Sequence, residues 1–251
     1  MGRHGRPSSD RYDLNFWFDP VCPFAWMTSK WVRQVIAAKD YRVDWKFISL
    51  RLINRNRDYA TEFPPEYPAV HGAGLKLLRV AAAVRAKEGP SAIGALYLEF
   101  GTKIHDTKWS DADGFKGAPM LATPERTVEM LTAVGLAAGY ADALEDESWD
   151  AELQAETDLA LSLTGKDVGT PILQVDPPDG VAFFGPVISR YPSDSQAVEL
   201  WDAVLTLTRF PSFAELKRSM RERPQLVSMG VDPGEIGLVE DWHGGSRRLK
   251  R

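Results

Sequence analysis

At residues 16–26 the chain reads Phe16-Trp17-Phe18-Asp19-Pro20-Val21-Cys22-Pro23-Phe24-Ala25-Trp26. The aromatic run at its start indicates a buried strand. Asp19-Pro20 ends that strand, because the residue before a proline is pushed toward extended dihedrals and proline cannot donate to a ladder. Pro23 suits the first position of a helix, where its missing N–H costs nothing, and residues 25–38 continue without a breaker. The segment therefore predicts a strand, a tight turn and a helix with Cys22 at its N-terminus.

Cys22 is the candidate catalytic residue of this chain. The first turn of a helix carries unpaired N–H groups and the positive end of the helix dipole, and both favour a thiolate. Thiols in that position have pKa values of roughly 3.5 to 7.5, against about 8.5 for a free thiol. The alternative is a small buried hydrophobic side chain, a common role for a free cysteine. Because Cys22 lies between prolines on a strand-to-helix turn, we expect a reactive nucleophile with a lowered pKa.

The composition argues against several classes of partner. The chain has 251 residues with 30 basic and 35 acidic side chains, a net charge of -5, so no overall positive field indicates nucleic acid or an anionic membrane. A single cysteine excludes an intramolecular disulfide. The sequence shows no secretory signal pattern and no run of the about eighteen apolar residues that span a bilayer. We therefore expect a cytoplasmic protein.

No motif indicates a metal, flavin or nucleotide cofactor. The acidic segment 142–147 lacks the ligand spacing of a calcium loop, and the chain has no paired histidines of the zinc type. Gly72-Ala73-Gly74 lacks the preceding strand and the further glycine of a phosphate loop. His105 lies at the end of an apolar helix, where a hydrogen-bonded structural role is commoner than a catalytic one. His71 is a weaker candidate for a functional residue than His105.

The rest of the chain alternates between strand-rich ends and a helical middle. Residues 12–18 and 41–50 predict two parallel strands around the helix, because a strand, helix, strand unit of this length takes a right-handed crossover. The polar segment 51–58 is interpreted as a solvated connection rather than a binding loop. Helical spacing recurs at 69–87, 91–105, 123–138, 140–145 and 149–163. Residues 169–175 and 181–186 predict a β pair, 193–209 an amphipathic helix and 213–221 a short basic helix, and most of 222–251 is expected to be mobile.

This order of elements resembles the DsbA-like branch of the thioredoxin superfamily. Within it, several motifs resemble actinobacterial mycothiol-dependent nitroreductases. These motifs are the segment from Phe16 to Pro23, Asn54-Arg55-Asn56-Arg57-Asp58, Ile104-His105, Asp167-Val168-Gly169-Thr170-Pro171 and Val181-Ala182-Phe183-Phe184-Gly185-Pro186-Val187.

The resemblance implies an α/β, thioredoxin-like fold with a large all-helical insertion. The thioredoxin-like domain would comprise 12–65 and 166–220, the insertion 66–165, with a mobile arm at 1–11 and a C-terminal tail at 221–251. By the same resemblance, Thr170-Pro171 becomes a cis-proline loop packed against the Cys22 sulfur, and the Thr170 backbone pairs with a bound thiol or peptide. The residues expected to bind the thiol cofactor are Pro23, Phe24, Trp26, Thr170, Pro171 and His105, with Trp26 as the preferred member of a flat hydrophobic pocket.

The chain departs from the family at Ala25, where relatives carry a second cysteine, so that the motif is CPFA in place of CPxC. Without that cysteine, a mixed disulfide on Cys22 can be resolved only by an outside thiol. We therefore predict a thiol-dependent oxidoreductase that acts on a small-molecule substrate through Cys22 alone. A low-molecular-weight thiol, mycothiol by resemblance, would regenerate it. The sequence leaves the substrate unnamed and the homodimer an open question.

Two other functions are compatible with the same residues. In kappa-type glutathione transferases and chromene isomerases of this branch, the active-site residue stabilises a bound thiol cofactor and forms no disulfide. The loss of the second cysteine at Ala25 equally suits a redox-inactive thioredoxin-like binding module. Retention of cellular function after Cys22→Ala would favour that module.

Overall fold

A computed structural model describes residues 11–108, 117–165, 168–217, 220–222, 224–232 and 239–241. In this part of the chain the main sheet has four strands in the order β2-β1-β3-β4. The strands are β1 (Leu14–Phe18), β2 (Val43–Phe47), β3 (Ile172–Val175) and β4 (Ala182–Phe184). β1 pairs parallel with β2 and antiparallel with β3, and β3 pairs antiparallel with β4. The predicted parallel unit and the predicted β pair are both confirmed.

The helices divide between the sheet domain and the connection from β2 to β3. α1 (Pro23–Ala38) joins the two parallel strands, and α9 (Asp194–Thr208) follows β4. Between β2 and β3 the structure has α2 (Leu50–Ile53), α3 (Tyr59–Glu62), α4 (Tyr67–Glu88), α5 (Ile93–His105), α6 (Ala118–Leu121), α7 (Pro124–Ala133) and α8 (Asp150–Thr164). Short 3-10 turns lie at Pro90–Ala92, Ala138–Glu145, Glu147–Trp149 and Val227–Met229. This is a thioredoxin-like fold with a helical block between its two halves, as the sequence predicts.

Two expectations about the helical block need correction. The segment 51–58, interpreted as a connection, contains the last turn of α2 and the N-cap of α3, which are too short to leave a periodic pattern. The helix expected over 123–138 ends at Ala133, because Gly135 takes a positive φ of 76° that terminates it. Its start is as predicted, with the Thr123 side chain accepting from the Arg126 N–H at 3.5 Å.

The alternation of side chains along β1 divides the core between the two faces of the sheet. Phe16 and Phe18 are buried against Trp45 on one face, and Phe18 stacks on Tyr97 of α5 with ring centroids 3.7 Å apart. On the other face, Trp17 belongs to a smaller buried cluster, whose other fully buried members are Ile48, Ala160 and Ile172. The sheet is therefore covered on both faces, and the turn that follows Phe18 begins in the interior of the protein.

The C-terminal part of the chain differs from the sequence-based expectation. The basic helix predicted over 213–221 is wrong, because residues 213–217 have no regular structure and β5 (Met220–Glu222) pairs with β6 (Val239–Asp241). Leu226 and Val231 are buried although they lie in a segment expected to be mobile. The expected arm at 1–10 lies outside the described residues.

Candidate active site

Cys22 is the N-cap residue of α1, and Pro23 is the first residue of the helix, as predicted. Cys22 has extended dihedrals (φ -81°, ψ 112°), which let its sulfur turn back over the first helical turn. The Ala25 N–H donates to Sγ at 3.5 Å, and the Trp26 N–H donates to the Cys22 carbonyl at 3.0 Å. The thiol thus occupies the place that a serine or aspartate oxygen usually takes.

The loop before β3 completes the surroundings of the sulfur. The Cys22 thiol donates to the Thr170 carbonyl at 3.4 Å, across 148 positions of sequence. Thr170 is itself fixed to β1, since its hydroxyl donates to the Trp17 carbonyl at 3.1 Å. The Thr170-Pro171 bond is cis, and the Pro171 carbonyl accepts from the Gly185 N–H at 2.9 Å. The two segments that the sequence marks by proline therefore meet at one sulfur atom.

The expected low pKa of Cys22 is wrong for this structure. The side chain is 6% exposed, and burial raises the pKa of the thiol to about 12. Hydrogen bonds from the Ala25 and Phe24 backbone lower the pKa, as the helix N-terminus argument expects, but desolvation outweighs them. The negative charge of Asp19 raises it further. At neutral pH the resting sulfur is a protonated thiol that donates a hydrogen bond.

Trp26 and His105 pack on the buried side of the active-site turn and do not line an open pocket. Trp26 is 1% exposed and His105 is fully buried, with their rings nearly parallel and their centroids 6.1 Å apart. The His105 Nε2 lies 2.9 Å from the Pro20 carbonyl, and burial lowers the pKa of His105 to about 4. The Trp26 Nε1–H donates to Asp106 at 3.3 Å, and Lys30 pairs with the same carboxylate at 2.7 Å. His105 is thus neutral, and its ring nitrogen fixes the backbone two residues before Cys22.

Two predicted residues, Pro23 and Phe24, are partly exposed and form the outer face of the turn. The neighbouring loop after β4 is held against α1, since the Thr28 hydroxyl donates to the Pro186 carbonyl at 2.7 Å. Of the residues predicted to bind the thiol cofactor, these two are therefore more exposed than Thr170 and Pro171, which are buried. The Thr170 carbonyl lies at the Cys22 sulfur.

Asp19 is a site residue that the sequence interpretation did not identify. Its side chain is fully buried, one oxygen accepting from the Val21 N–H at 3.0 Å and the other from the Leu50 N–H at 2.8 Å. Burial raises the pKa of the carboxyl to about 7, although both hydrogen bonds lower it. In the sequence Asp19 counted only as part of a strand-ending Asp-Pro pair. Its burial depends on α4, where Gly74 packs against the carboxylate.

The segment after β2 also contributes an aromatic and cationic cluster. His71 is 5% exposed, its Nδ1 lies 3.0 Å from the Tyr59 hydroxyl, and burial lowers its pKa to about 4. The Arg51 guanidinium lies over the Tyr59 ring, 4.7 Å from its centroid. The rings of Phe63 and Tyr67 complete the cluster around His71. Within segment 51–58, Arg51 therefore packs on this cluster and Asn54 is buried, whereas residues 55–58 are exposed, as expected for a solvated connection.

Other candidate features lie away from the thiol or are absent from the described residues. A surface groove of about 520 Å³ is lined largely by charged residues of β2, α4 and α8. A second groove, of about 330 Å³, lies along the N-terminal half of α9. In the described ranges, no group of three or more His, Cys, Asp or Glu side chains could hold a metal ion. Within the same ranges, no helix has the length and apolar character that crossing a membrane requires.

The sequence that forms this site matches a known protein family. The family described as Rv2466c-like, mycothiol-dependent nitroreductase Rv2466c, matches residues 21–218. The chain belongs to this family. The match starts beside Cys22 and runs through the Thr170 loop, so the two halves of the site both lie inside it. Membership of the Rv2466c-like family indicates that the chain is an oxidoreductase. A thiol is the cofactor that the family description supports.

The individual proteins that resemble this chain share less than a third of its residues. The chain is 29% identical over 208 residues to the uncharacterized protein Rv2286c of Mycobacterium tuberculosis, covering 82% of this chain and 81% of that one. Similar solved structures include a putative protein-disulfide isomerase from Pseudomonas syringae (TM-score 0.44, 14% identity, 74% of this chain and 90% of that one). Another is a probable DsbA oxidoreductase from Streptomyces coelicolor (TM-score 0.47, 16% identity, 85% and 97%).

Proposed function

We propose that this chain is a monothiol oxidoreductase, in which Cys22 forms a mixed disulfide that a mycothiol-like thiol resolves. The observation that carries the proposal is the pairing of Cys22 with a fully buried Ala25 at the position of the second cysteine. The Ala25 N–H donates to the Cys22 sulfur, so position 25 lies beside the sulfur, but its side chain carries no thiol. Resolution must therefore come from a second molecule.

The reaction consists of two thiol–disulfide exchanges. The Cys22 thiolate attacks one sulfur of a substrate disulfide, forming the Cys22–S–S–R bond and releasing the other half as a thiolate that takes up a proton. A low-molecular-weight thiolate then attacks the R sulfur, which restores Cys22 and gives a disulfide between the thiol and R. A further equivalent of thiol frees R as a thiol and leaves an oxidised thiol dimer. The low-molecular-weight thiol therefore supplies both electrons, and the protein ends unchanged.

The surroundings of Cys22 assign a role to each neighbour in this cycle. The Thr170 carbonyl accepts a hydrogen bond from the resting thiol, and the backbone N–H of Ala25 remains directed at the sulfur when the thiol loses its proton. The half-buried Phe24 offers an apolar surface to the R group of the substrate. A reducing compartment such as the cytoplasm, where low-molecular-weight thiols are kept reduced, is the proposed location.

The raised pKa of Cys22 favours a second candidate function. A thiol that stays protonated at neutral pH can donate a hydrogen bond to the thiolate of a bound cofactor, as in a kappa-type transferase or isomerase. In that case the cofactor sulfur is the nucleophile, and Cys22 forms no covalent bond. The two candidates differ in the expected effect of Cys22→Ser, because a serine hydroxyl can donate a hydrogen bond but cannot form a disulfide.

The deciding experiment is intact mass spectrometry after incubation with oxidised mycothiol, and separately with oxidised glutathione. The monothiol enzyme gains one mycothiol adduct, which reduced mycothiol removes, and Cys22→Ser gains none. Turnover of a disulfide substrate and of an electrophilic substrate, each with reduced mycothiol, is measured in parallel for Cys22→Ser and Cys22→Ala.

The outcomes separate the candidates clearly. Loss of turnover in both variants, together with the adduct, supports the monothiol cycle. Turnover that survives in Cys22→Ser and is lost in Cys22→Ala supports the kappa-type function, because a serine hydroxyl keeps the donor. If no adduct forms with either thiol and the unchanged protein shows no turnover, both functions are wrong and a binding module is left.

A further inference from the structure

We propose that Asp19 is a positioning residue for Cys22: its buried carboxylate ties the active-site turn to the N-terminus of α2, and its charge sets how readily the thiol ionises. The inference rests on the proposed function in one respect, that Cys22 reacts as a thiolate. It adds a residue to which neither the sequence motifs nor the family description assigns a role.

The geometry shows a carboxylate shared between two backbone segments. One oxygen accepts from Val21, the residue before Cys22, and the other from Leu50, the first residue of α2. The Asp19 carbonyl also accepts from the Cys22 N–H at 3.0 Å. Asp19 thus fixes the turn on both sides of the peptide bond that leads into Cys22. A shift of this carboxylate would move the sulfur relative to Thr170.

The packing around Asp19 leaves room for no larger neighbour on α4. A Cβ added at Gly74 would lie 2.6 Å from one carboxylate oxygen and 2.9 Å from the Val21 side chain. At Gly72, one half-turn earlier on the same helix, an added Cβ would meet nothing within 4 Å. Of these two glycines, only Gly74, where α4 crosses the Asp19 carboxylate, has no room for a side chain.

Among the titratable groups around this carboxylate in the described part of the chain, only Asp19 has a pKa near neutral. Its pKa is about 7, whereas burial raises the pKa values of Tyr59 on α3 and Tyr97 on α5. His71 on α4 and His105 on α5 have pKa values lowered to about 4. Arg51 on α2 adds a cation that does not titrate in this range. Any step in Cys22 reactivity near pH 7 therefore reports the charge on Asp19.

The test measures the second-order rate of Cys22 alkylation by iodoacetamide between about pH 5.5 and 8.5, in the unchanged protein and in Asp19→Asn. Ionised Asp19 opposes the thiolate, so the unchanged protein gains rate less steeply across its titration. The ratio of the Asp19→Asn rate to the unchanged rate should rise across this range to about fivefold or more. A turn that is merely loosened gives a ratio that does not depend on pH.

A second pair of variants tests the hydrogen bond from Leu50 to Asp19 while the Asp19 carboxylate is kept. Leu50→Pro deletes the N–H donor at the first position of α2, and Ser49 before it has the extended dihedrals that precede proline. Asp19 loses a donor that lowers its pKa, so the shallow region of the rate profile moves to higher pH. Leu50→Ala removes the same side chain but keeps the N–H, and its profile should stay where it was.

A constant rate ratio in Asp19→Asn, or the same profile in Leu50→Pro and Leu50→Ala, overturns the inference. Iodoacetamide is used because it reports Cys22 ionisation whatever the natural thiol is. Absence of a mycothiol adduct with the expected profile would thus refute the proposed function and leave the role of Asp19 standing. A mycothiol adduct with a constant ratio would do the reverse.

Discussion

The N-termini of α1 and α2 are built alike and differ in what their capping residue can do. Each cap follows a parallel strand, has extended dihedrals and accepts from the N–H three residues on, at 3.5 Å to the Cys22 sulfur and 3.4 Å to the Ser49 hydroxyl. Ser49 is fully buried, and its N–H donates to Thr157 of α8 at 3.1 Å. Cys22 instead directs a thiol at the Thr170 carbonyl.

The comparison teaches that a helix N-terminus does not by itself make a thiol acidic. The amide groups around Cys22 do lower its pKa, but the loss of water raises it by more. The two caps are also joined, because Asp19 accepts a hydrogen bond from a residue beside each of them. The difference between the two caps can therefore be tested at the Asp19 charge, at the Cys22 sulfur, at the packing of α4 and at the Ser49 cap.

The largest expected effect comes from the charge between the two caps. The folded-state pKa of Asp19 is raised from 3.8 to about 7, so its contribution to stability is fully present below about pH 4 and lost as the pH rises through 7. The free energy of unfolding of the unchanged protein minus that of Asp19→Asn should fall by about 4 kcal/mol over this window. Urea titrations at several pH values measure the difference, in which the contributions of His71 and His105 cancel. A difference that is constant with pH would contradict the raised pKa.

The second effect is chemical and concerns the sulfur cap. Ala25→Cys places a thiol where the Ala25 N–H now meets the Cys22 sulfur. That thiol should attack the Cys22 sulfur of a mixed disulfide, release the small thiol and form an intramolecular disulfide, shortening the adduct lifetime by about a hundredfold. Intact mass against time measures the decay, with Ala25→Ser as the control that cannot resolve. An equally long-lived adduct in both variants would mean that position 25 does not reach the sulfur.

The third effect tests the packing under the sulfur cap. Gly74→Ala crowds the Asp19 carboxylate and should cost about 1–3 kcal/mol of stability. Gly72→Ala lies on the same helix in open space and should be neutral or stabilising by about 0.5–1 kcal/mol. Thermal unfolding of the two variants side by side gives the comparison. An equal change in stability in the two variants would show that helix propensity, and not contact with Asp19, determines the result.

The smallest effect belongs to the second cap. Ser49→Ala removes the hydroxyl that accepts from Leu52 and should cost about 1 kcal/mol, the usual value of an N-cap. The rate of Cys22 alkylation should not change, because Ser49 does not contact the thiol. Chemical denaturation and iodoacetamide kinetics on the same preparation check both statements. A changed alkylation rate would show that the two caps are coupled through Asp19 more strongly than we infer.

Local features of the site follow from the sequence, whereas its environment does not. Pro20 and Pro23 fix the turn and the helix start because proline restricts its own φ and the residue before it. The helices α2 and α3 are missed because four residues are too few to show a helical period. The short basic helix predicted over 213–221 is wrong because so short a helix is marginal by itself, and β5 pairs with β6 instead. Asp19 is missed because nothing local marks a carboxylate for burial.

The sequence alone determined that Cys22 caps a helix after a buried strand, that a second thiol is missing at Ala25, and that a Thr-Pro loop opens the returning strand. These depend on dihedral preferences and residue types within a few positions. Only the tertiary structure brought the Thr170 carbonyl to the sulfur and closed α4 and α5 over Asp19 and His105. Desolvation is a sum over all atoms that displace water, and those atoms come from distant segments, so the raised pKa of Cys22 could be known only from the fold.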